Sequence, residues 1–533
     1  MINGLTMDDY PLSLTAVVER AERFHSGKDV VTRRPDGSIA RTTLGACASR
    51  ARRLATALAG LGVGDGDRVA TLLWNQAEHL EMYFAVPSMG AVVHTLNPRL
   101  HPDELAFIVG DADDRVIVVD ESLLEVFDGF RHTHRFDHVI VVSQGEPAPD
   151  GMLDYEILIG ESEPMEWPVL DERRSGAMCY TSGTTGRPKG VVYSHRALVL
   201  HSLTVALPDA LGVSVQDTLL PVVPMFHVNA WGLPIAAALL GARLVLPGPK
   251  LDPVSVLDLI EAERVTMTAG VPTVWMAMLD ALDAQPQRWD LGRLERLIVG
   301  GAAAPRSLLE GYDRHGLTVV QAWGMTETAP VGTISRLPVD LRDRAADEQY
   351  EFRARQGVAV PFFDIRARNE DDGFIEWDDV AMGELEVRGP WVAAAYHNGA
   401  GTDSFTADGW FRTGDIVRID HRGCIRICDR SKDLVKSGGE WISSVDLENH
   451  LMAHPSVAEA AVIAVPDPKW GERPLAVLVL RDGLTADPEQ LREHLSGEFA
   501  RWQLPERFEF VSTIPRTATG KFKKRDLREQ FTA

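Results

Sequence analysis

Between Tyr180 and Val191 the chain places four Ser or Thr hydroxyls, three glycines and two cations within twelve residues. Small residues let backbone N–H groups close around an anion. The hydroxyls of Thr181, Ser182, Thr184 and Thr185 add donors, and Arg187 and Lys189 add charge. Gly183, Gly186 and Gly190 supply the small residues. This composition suits a loop that wraps the phosphates of a nucleotide. Its spacing is not that of the common Gly-x-x-x-x-Gly-Lys-Ser/Thr loop, which is absent here and at Thr519-Gly520-Lys521, where Phe522 follows. The bland alternative is an ordinary Gly/Ser/Thr-rich surface loop.

Further motifs follow in order. They are Trp323-Gly324-Met325-Thr326-Glu327, Thr413-Gly414-Asp415, Arg430-Ser431-Lys432-Asp433 and Pro515-Arg516-Thr517-Ala518-Thr519-Gly520-Lys521. With Tyr180–Val191 at their head, they resemble the ordered signatures of the adenylate-forming enzymes: acyl-CoA synthetases, peptide-synthetase adenylation domains and beetle luciferases. The resemblance covers nearly the whole chain. Around Pro224-Met225-Phe226-His227 and Ala269-Gly270-Val271-Pro272 it is most similar to bacterial medium- and long-chain fatty acid CoA ligases.

The resemblance implies a set of roles. Thr181, Ser182, Gly183, Thr184, Thr185, Gly186 and Lys189 would hold the β- and γ-phosphates of ATP. Glu327, with an oxygen from Thr184, would hold Mg²⁺, which prefers hard oxygen ligands beside phosphates. The alternative for Glu327 is a plain helix-N-terminal carboxylate after Thr326. Trp323, where the family more often has tyrosine, would stack on adenine beside Gly324, or would simply be core. Gly301, Ala302, Ala303 and Ala304 are small enough for adenine to lie against backbone. Asp415 has two acceptor oxygens for the ribose hydroxyls, and Arg430 would join it there. Lys521 would reach the α-phosphate and the substrate carboxylate during adenylation. The neighbouring Lys523, Lys524 and Arg525 read as a solvated basic tail. Lys432 matches the hinge position. Lys436, Ser437, Gly438, Gly439 and Glu440 would meet the pantetheine of coenzyme A after a domain rotation. His227 would orient the acid, with Val228, Trp231, Gly300 and Gly301 as walls of an apolar acyl pocket.

The elements that must position these residues read as alternating strands and amphipathic helices. Asp36-Gly37 predicts a hairpin turn, and Thr43 caps a helix burying Cys47, Leu54, Ala57 and Leu58. Val69–Leu73 predicts a strand, residues 78–89 a helix, and residues 91–93 the next strand. Asp252-Pro253 opens another helix. Such alternation implies an α/β fold of largely parallel, helix-covered sheets, with ligands beyond the strands' carboxyl ends. Gly383–Arg388 and Cys424–Asp429 read as antiparallel strands of a small β-subdomain. The polar stretch Asp429–Gly439 reads as a linker. A capping box at Ser443 and Asp446 then opens a compact α+β unit. The expected division is a nucleotide- and acyl-binding domain over residues 1–429 and a mobile C-terminal domain over residues 430–533.

The 533 residues are 45% apolar and carry a net charge of −23. That balance argues against nucleic acid and anionic membrane as partners, but not against anionic small molecules in a locally basic pocket. Four cysteines form no disulfide framework, which fits a reducing cytoplasm, and Cys424 and Cys428 read as strand residues, not metal ligands. The start of the chain has no signal-peptide pattern, and the apolar run Ala230–Leu246 is interrupted by Pro234 and Arg243, so it reads as a buried helix and strand.

The reading is therefore an ATP- and Mg²⁺-dependent carboxylic acid:CoA ligase for a medium-chain fatty acid, acting through an acyl-AMP. The alternatives are a short thioether or aromatic acid, an amine or carrier-protein thiol as acceptor, and a nucleotide-binding sensor without catalysis. A homodimer stays open.

Overall fold

A computed structural model describes residues 7, 9–145, 147–181, 187–437, 440–516 and 522–531, with Glu440 through its backbone alone. The Asp36-Gly37 turn joins strands β1 (Asp29–Arg33) and β2 (Ile39–Thr43) as an antiparallel hairpin. Gly37 has a φ of 94°, which a side chain would resist. Thr43 Oγ1 accepts from Ala46 N at 3.2 Å and so caps the helix Leu44–Gly60, which buries Cys47, Leu54, Ala57 and Leu58.

Next come β3 (Arg68–Leu72), β4 (Val92–Thr95), β5 (Val116–Asp120), β6 (His138–Val142), β7 (Leu153–Asp154), β8 (Ser175–Tyr180) and β9 (Gly190–Ser194). They form a seven-stranded sheet in the order β7-β6-β5-β3-β4-β8-β9. Every neighbour is parallel except the β8–β9 pair. The strands are nearly continuous runs of Val, Ile and Ala. Both faces are buried under helices, as parallel strands require.

The hairpin β1–β2 edges a second sheet of thirteen strands. Its parallel centre holds Arg243–Leu246, Thr218–Pro221, Met267–Gly270, Arg296–Val299 and Thr318–Gly324. The expected β-subdomain is continuous with this centre. Thr318–Gly324 pairs antiparallel with Val331–Ser335, and hydrogen bonding runs on through Gly357–Ala359, Cys424–Arg430, Phe411–Ile419, Gly383–Arg388 and Asp364–Arg368. Cys424 and Cys428 are buried there, and no group of three or more metal-ligating side chains occurs among the described residues.

A third sheet of five strands lies in the C-terminal part, with Val457–Asp467 and Gly471–Leu480 at its heart. The expected linker is corrected here. Cys424–Arg430 and Val435–Ser437 are both strands, so only residues 431–434 connect them. Arg430 is held in register against Asp415, and Val435 and Ser437 are buried on either side of exposed Lys436, a strand alternation hidden by the polar composition. At Ser443 half of the expected capping box forms. Its Oγ accepts from Asp446 N at 3.0 Å, while the Asp446 carboxylate turns to Arg426 at 3.1 Å. The run Ala230–Leu246 contains the buried helix Leu233–Leu240 and strand Arg243–Leu246, and no described helix is long and apolar enough to cross a membrane.

Candidate functional site

Strands β8 and β9 clamp the two ends of the hydroxyl-rich loop. Thr181 N donates to Lys189 O at 3.0 Å, and Lys189 N donates to Thr181 Oγ1 at 3.1 Å. Ser182, Gly183, Thr184, Thr185 and Gly186 lie outside the described residues. Gly190 sits in a tight place: a Cβ there would stand 2.5 Å from Met178 Cε, which would have to swing away, and 3.0 Å from His397 Cβ.

From this clamp a chain of side chains runs to Glu327. Lys189 Nζ sits 4.7 Å above the Tyr396 ring, and the Tyr396 hydroxyl donates to Glu327 Oε1 at 2.5 Å. Glu327 lies in the short turn Thr326–Thr328 and is only 5% exposed. Its carbonyl accepts from Ala393 N at 2.7 Å, tying that turn to the segment that carries Tyr396. Thr326 O accepts from the Tyr193 hydroxyl at 2.6 Å. Burial and the Glu327 charge push the Tyr396 phenol up, so it stays a proton donor. Among the described residues Glu327 forms no ion pair and takes no other side-chain hydrogen bond. A buried carboxylate with a single neutral partner is costly unless a cation completes it. The hard oxygen set fits Mg²⁺.

The second constellation centres on Asp415, which is 2% exposed. Its Oδ1 lies 2.7 Å from Arg430 Nε, and its Oδ2 accepts from Trp323 Nε1 at 3.0 Å. Arg430 Nη1 also donates to Thr413 O at 3.1 Å. The indole of Trp323 therefore uses its edge to orient the carboxylate. The ring is buried and meets Phe363 edge to face at 6.4 Å. Gly324 allows the following turn to fold back, since a Cβ would overlap Pro330 O. Beyond the carboxyl end of Arg296–Val299, Gly301 and Ala302 are exposed and Ala303 is half-buried. Gly301 has a φ of 84°.

The third part follows Thr218–Pro221. Residues Val228, Asn229, Ala230 and Trp231 have φ of 46°, 55°, 48° and 56°, a left-handed turn completed by Gly232 at 72°. Each non-glycine residue in that region costs roughly 1–2 kcal/mol, so the surroundings must hold it. Asn75 does so from the end of β3: its Nδ2 donates to Pro221 O and Val223 O, and its Oδ1 accepts from Met225 N at 2.6 Å. The Tyr83 hydroxyl lies 2.8 Å from both Met225 O and Asn229 Oδ1. Thr95 Oγ1 donates to Phe226 O at 3.2 Å. The result sets half-buried His227 beside Tyr180 and Thr181 around a cavity of about 20 Å³ at the foot of the hydroxyl-rich loop. Val228 and Trp231 are buried, and a Cβ at buried Gly300 would stand 2.9 Å from Trp231 Cη2. Tyr396, Asn75, Tyr83 and Asn229 had no signal in one sequence, because their partners lie far along the chain.

On the C-terminal side, Lys432 is exposed in the turn between Arg430 and Val435. Lys436 Nζ pairs with Glu370 at 2.9 Å, and Ser437 Oγ accepts from Arg473 at 3.2 Å. Gly438, Gly439 and Lys521 lie outside the described residues, while Glu440 pairs with Ser437 through the backbone. Arg516 and Phe522 bridge as strand partners across the two ends of the Lys521 segment. The basic-tail reading is corrected at Lys524. That side chain is only 10% exposed and pairs with Glu448 at 2.6 Å, a carboxylate supplied by an earlier helix.

With this geometry in hand, known proteins can be set beside the chain. Residues 17–397 match the AMP-binding enzyme family, and residues 446–521 match the AMP-binding enzyme C-terminal domain. The chain is 50% identical, over 99% of its length and 97% of the other's, to a protein of Thermus thermophilus named long-chain-fatty-acid–CoA ligase. It is 42% identical, over 98% of its length and 97% of the other's, to 3-methylmercaptopropionyl-CoA ligase of Ruegeria lacuscaerulensis. The crystal structure of the anthranilate CoA ligase AuaEII with anthranoyl-AMP superposes with a TM-score of 0.87, at 25% identity and 99% coverage of each chain. The fold and site define a nucleotide-dependent acid ligase of the adenylate-forming class. The chain belongs to the AMP-binding enzyme family.

Proposed function

We propose that this AMP-forming acyl-CoA synthetase takes a medium-chain fatty acid as its natural acid. A carboxylate is a poor acyl donor because oxide cannot leave. In the first half-reaction a carboxylate oxygen attacks the α-phosphorus of ATP and pyrophosphate departs, giving acyl-AMP. In the second, the thiol of coenzyme A attacks the acyl carbon, loses its proton, and expels AMP.

The observation that carries the reading is the buried Glu327 carboxylate, joined through Tyr396 to Lys189 at the phosphate loop. Glu327, with Thr184, would hold Mg²⁺, which when bound supplies positive charge to the phosphates. Thr181 to Gly186 and Lys189 hold the phosphates themselves. Asp415 and Arg430 receive the ribose. Gly301, Ala302 and Ala303 form a small-residue bed for adenine, and Trp323 serves the nucleotide through its hold on Asp415 as well as its ring. Lys521 supplies the mobile cation of the first half-reaction. Residues 430–533 then turn about Lys432 relative to residues 1–429, and Lys436, Ser437, Gly438, Gly439 and Glu440 come to the pantetheine. His227 orients the acid carboxylate.

Chain length is supported from two sides. Relatives are named for a long-chain acid and for a short thioether acid, and the Trp231–Gly300 contact closes the apolar wall. The short thioether acid is the second reading. The test is pyrophosphate release over straight-chain acids, thioether acids and aromatic acids, with and without coenzyme A. A maximum at middle chain length, with a thioester product, supports the proposal. A maximum at the thioether acid replaces it, and release with no coenzyme A-dependent turnover moves the acceptor to an amine or carrier-protein thiol.

A further inference from the structure

The helix Pro102–Ala112 joins β4 to β5, and none of its residues belongs to the sites assigned above. It nevertheless touches the hydroxyl-rich loop on both sides. On one side the Arg187 guanidinium lies 5.2 Å from the centre of the Phe107 ring. On the other the Tyr180 hydroxyl donates to Asp111 Oδ2 at 2.7 Å. Phe107 and Asp111 are four residues apart, so they stand on one face of the helix. Ile108, between them in sequence, lines the small cavity shared by Tyr180, Thr181 and His227.

Asp111 has a second set of donors. Asn398 Nδ2 donates to its Oδ1 at 3.2 Å and to its backbone carbonyl at 3.0 Å, and His397 Nε2 lies 3.2 Å from the same carbonyl. These two residues directly follow Tyr396, whose hydroxyl holds Glu327. Asn398 has a φ of 55°, a left-handed conformation that asparagine tolerates better than most residues. The same segment packs on the β8–β9 clamp, because a Cβ at Gly401, with a φ of 54°, would stand 2.5 Å from Lys189 Nζ. Asp111 therefore ties together the start of the loop and the segment that carries Tyr396, which lie far apart in sequence.

A helix does not favour this placement by itself. Asp111 lies in the last turn, where the macrodipole is negative and a carboxylate is disfavoured. Among the described residues its charge is met by two neutral donors and no cation: the Tyr180 phenol and the Asn398 amide. Partial burial and the Asp111 carboxylate push the Tyr180 phenol up, so it stays a donor. Hydrogen bonds to an ionised acceptor are the stronger ones, which suits a joint between two segments. We propose that Asp111 is a positioning residue for adenylation, locking the hydroxyl-rich loop to the Tyr396–Glu327 arm so that the groups on phosphate and metal keep one spacing. The inference rests on the assignment of these parts to ATP and Mg²⁺.

The test follows both half-reactions in full-length Tyr180→Phe, Asn398→Gly and Asp111→Ala, with Glu327→Gln as the control on the underlying assignment. Tyr180→Phe keeps the ring, which meets His94 at 5.2 Å. Asn398→Gly changes an exposed residue and accepts its positive φ. These two decide the matter where Asp111→Ala fails to fold. Each variant should raise KM for MgATP by about tenfold, as loss of a charge-assisted hydrogen bond does, and leave thioester formation from supplied acyl-AMP unchanged. The Mg²⁺ concentration for half-maximal rate should rise in Tyr180→Phe, although that hydroxyl is bonded to Asp111 and not to Glu327. In the Asp111→Ala background Tyr180→Phe should cause no further loss. An unshifted Mg²⁺ dependence in Tyr180→Phe overturns the proposal, and so does an equal fall in both half-reactions. Pyrophosphate release that is lost in Glu327→Gln but unchanged in all three variants overturns the proposal alone. Release that survives in Glu327→Gln overturns the nucleotide assignment with it.

Discussion

Removing the Tyr396 hydroxyl is the sharpest test of the Glu327 assignment. Tyr396→Phe keeps the ring, which packs against Phe405 at 5.5 Å and Phe411 at 6.3 Å and lies under Lys189. What goes is the 2.5 Å hydrogen bond to a carboxylate that is 5% exposed. A hydrogen bond to a charged group contributes about 1.5–3 kcal/mol, and its loss leaves Glu327 unoriented beside the hydroxyl-rich loop. If that orientation serves adenylation alone, kcat/KM for ATP falls roughly ten- to hundredfold. The Mg²⁺ concentration needed for half-maximal rate should move with it. The assay separates the half-reactions: pyrophosphate release with acid and ATP, and thioester formation from supplied acyl-AMP and coenzyme A. The second should be unchanged. An equal fall in both half-reactions would mean general loosening of the fold, and no fall in either would remove Glu327 from the nucleotide chemistry.

Lys521→Ala should cripple pyrophosphate release while leaving thioester formation from supplied acyl-AMP largely intact, and equal loss in both would refute the separation of roles. Gly300→Ala puts a methyl group 2.9 Å from Trp231 Cη2 and 3.1 Å from Ala322 O, so the acid profile should shift to shorter chains; an unchanged profile would place the acyl wall elsewhere. The buried His201 imidazole is pushed down to about 3 by burial, and its Nε2 accepts from Val331 N at 3.3 Å. Its unfolded value is near 6.5, so the unfolded chain binds the extra proton first, and the stability due to neutral His201 is full above that pH and lost as pH falls toward 3. At pH 5 the loss is about 2 kcal/mol. Glu81 and Glu448, pushed up to about 7 by burial, act in the opposite direction, so the comparison is with His201→Gln. Scanning calorimetry should show that variant losing less stability between pH 7 and pH 5 than the parent, and parallel losses would refute the account.

The parts of the fold legible in sequence are those set by near neighbours. Asp36-Gly37 makes its turn and Thr43 its cap, because both depend on a few adjacent residues. Asp252-Pro253 opens its helix for the same reason, with Asp252 Oδ1 accepting from Ser255 N at 2.9 Å. The site motifs were legible through their order along the chain, which periodicity alone does not supply. Failures came where distant residues decide. Lys524 looked like a solvated cation until Glu448, on another helix, enclosed it. Residues 429–439 looked like a linker because their polarity hides a strand whose partners lie elsewhere in the chain. Trp323 announced an aromatic ring, but the use of its edge depends on Asp415 reaching it from another strand.

The same distinction explains why the scaffold of the acyl side was invisible. Two sheets end near one crevice, and small hydrogen-bonding side chains join their carboxyl ends. Asn75 leaves β3 and holds Pro221, Val223 and Met225, while Thr95 ends β4 and holds Phe226. None of these bonds alone outweighs the strain of a left-handed run from Val228 to Trp231, since a typical hydrogen bond contributes only about 0.5–1.5 kcal/mol net. Several converging on the segment just before it offset part of that strain and hold the approach to His227.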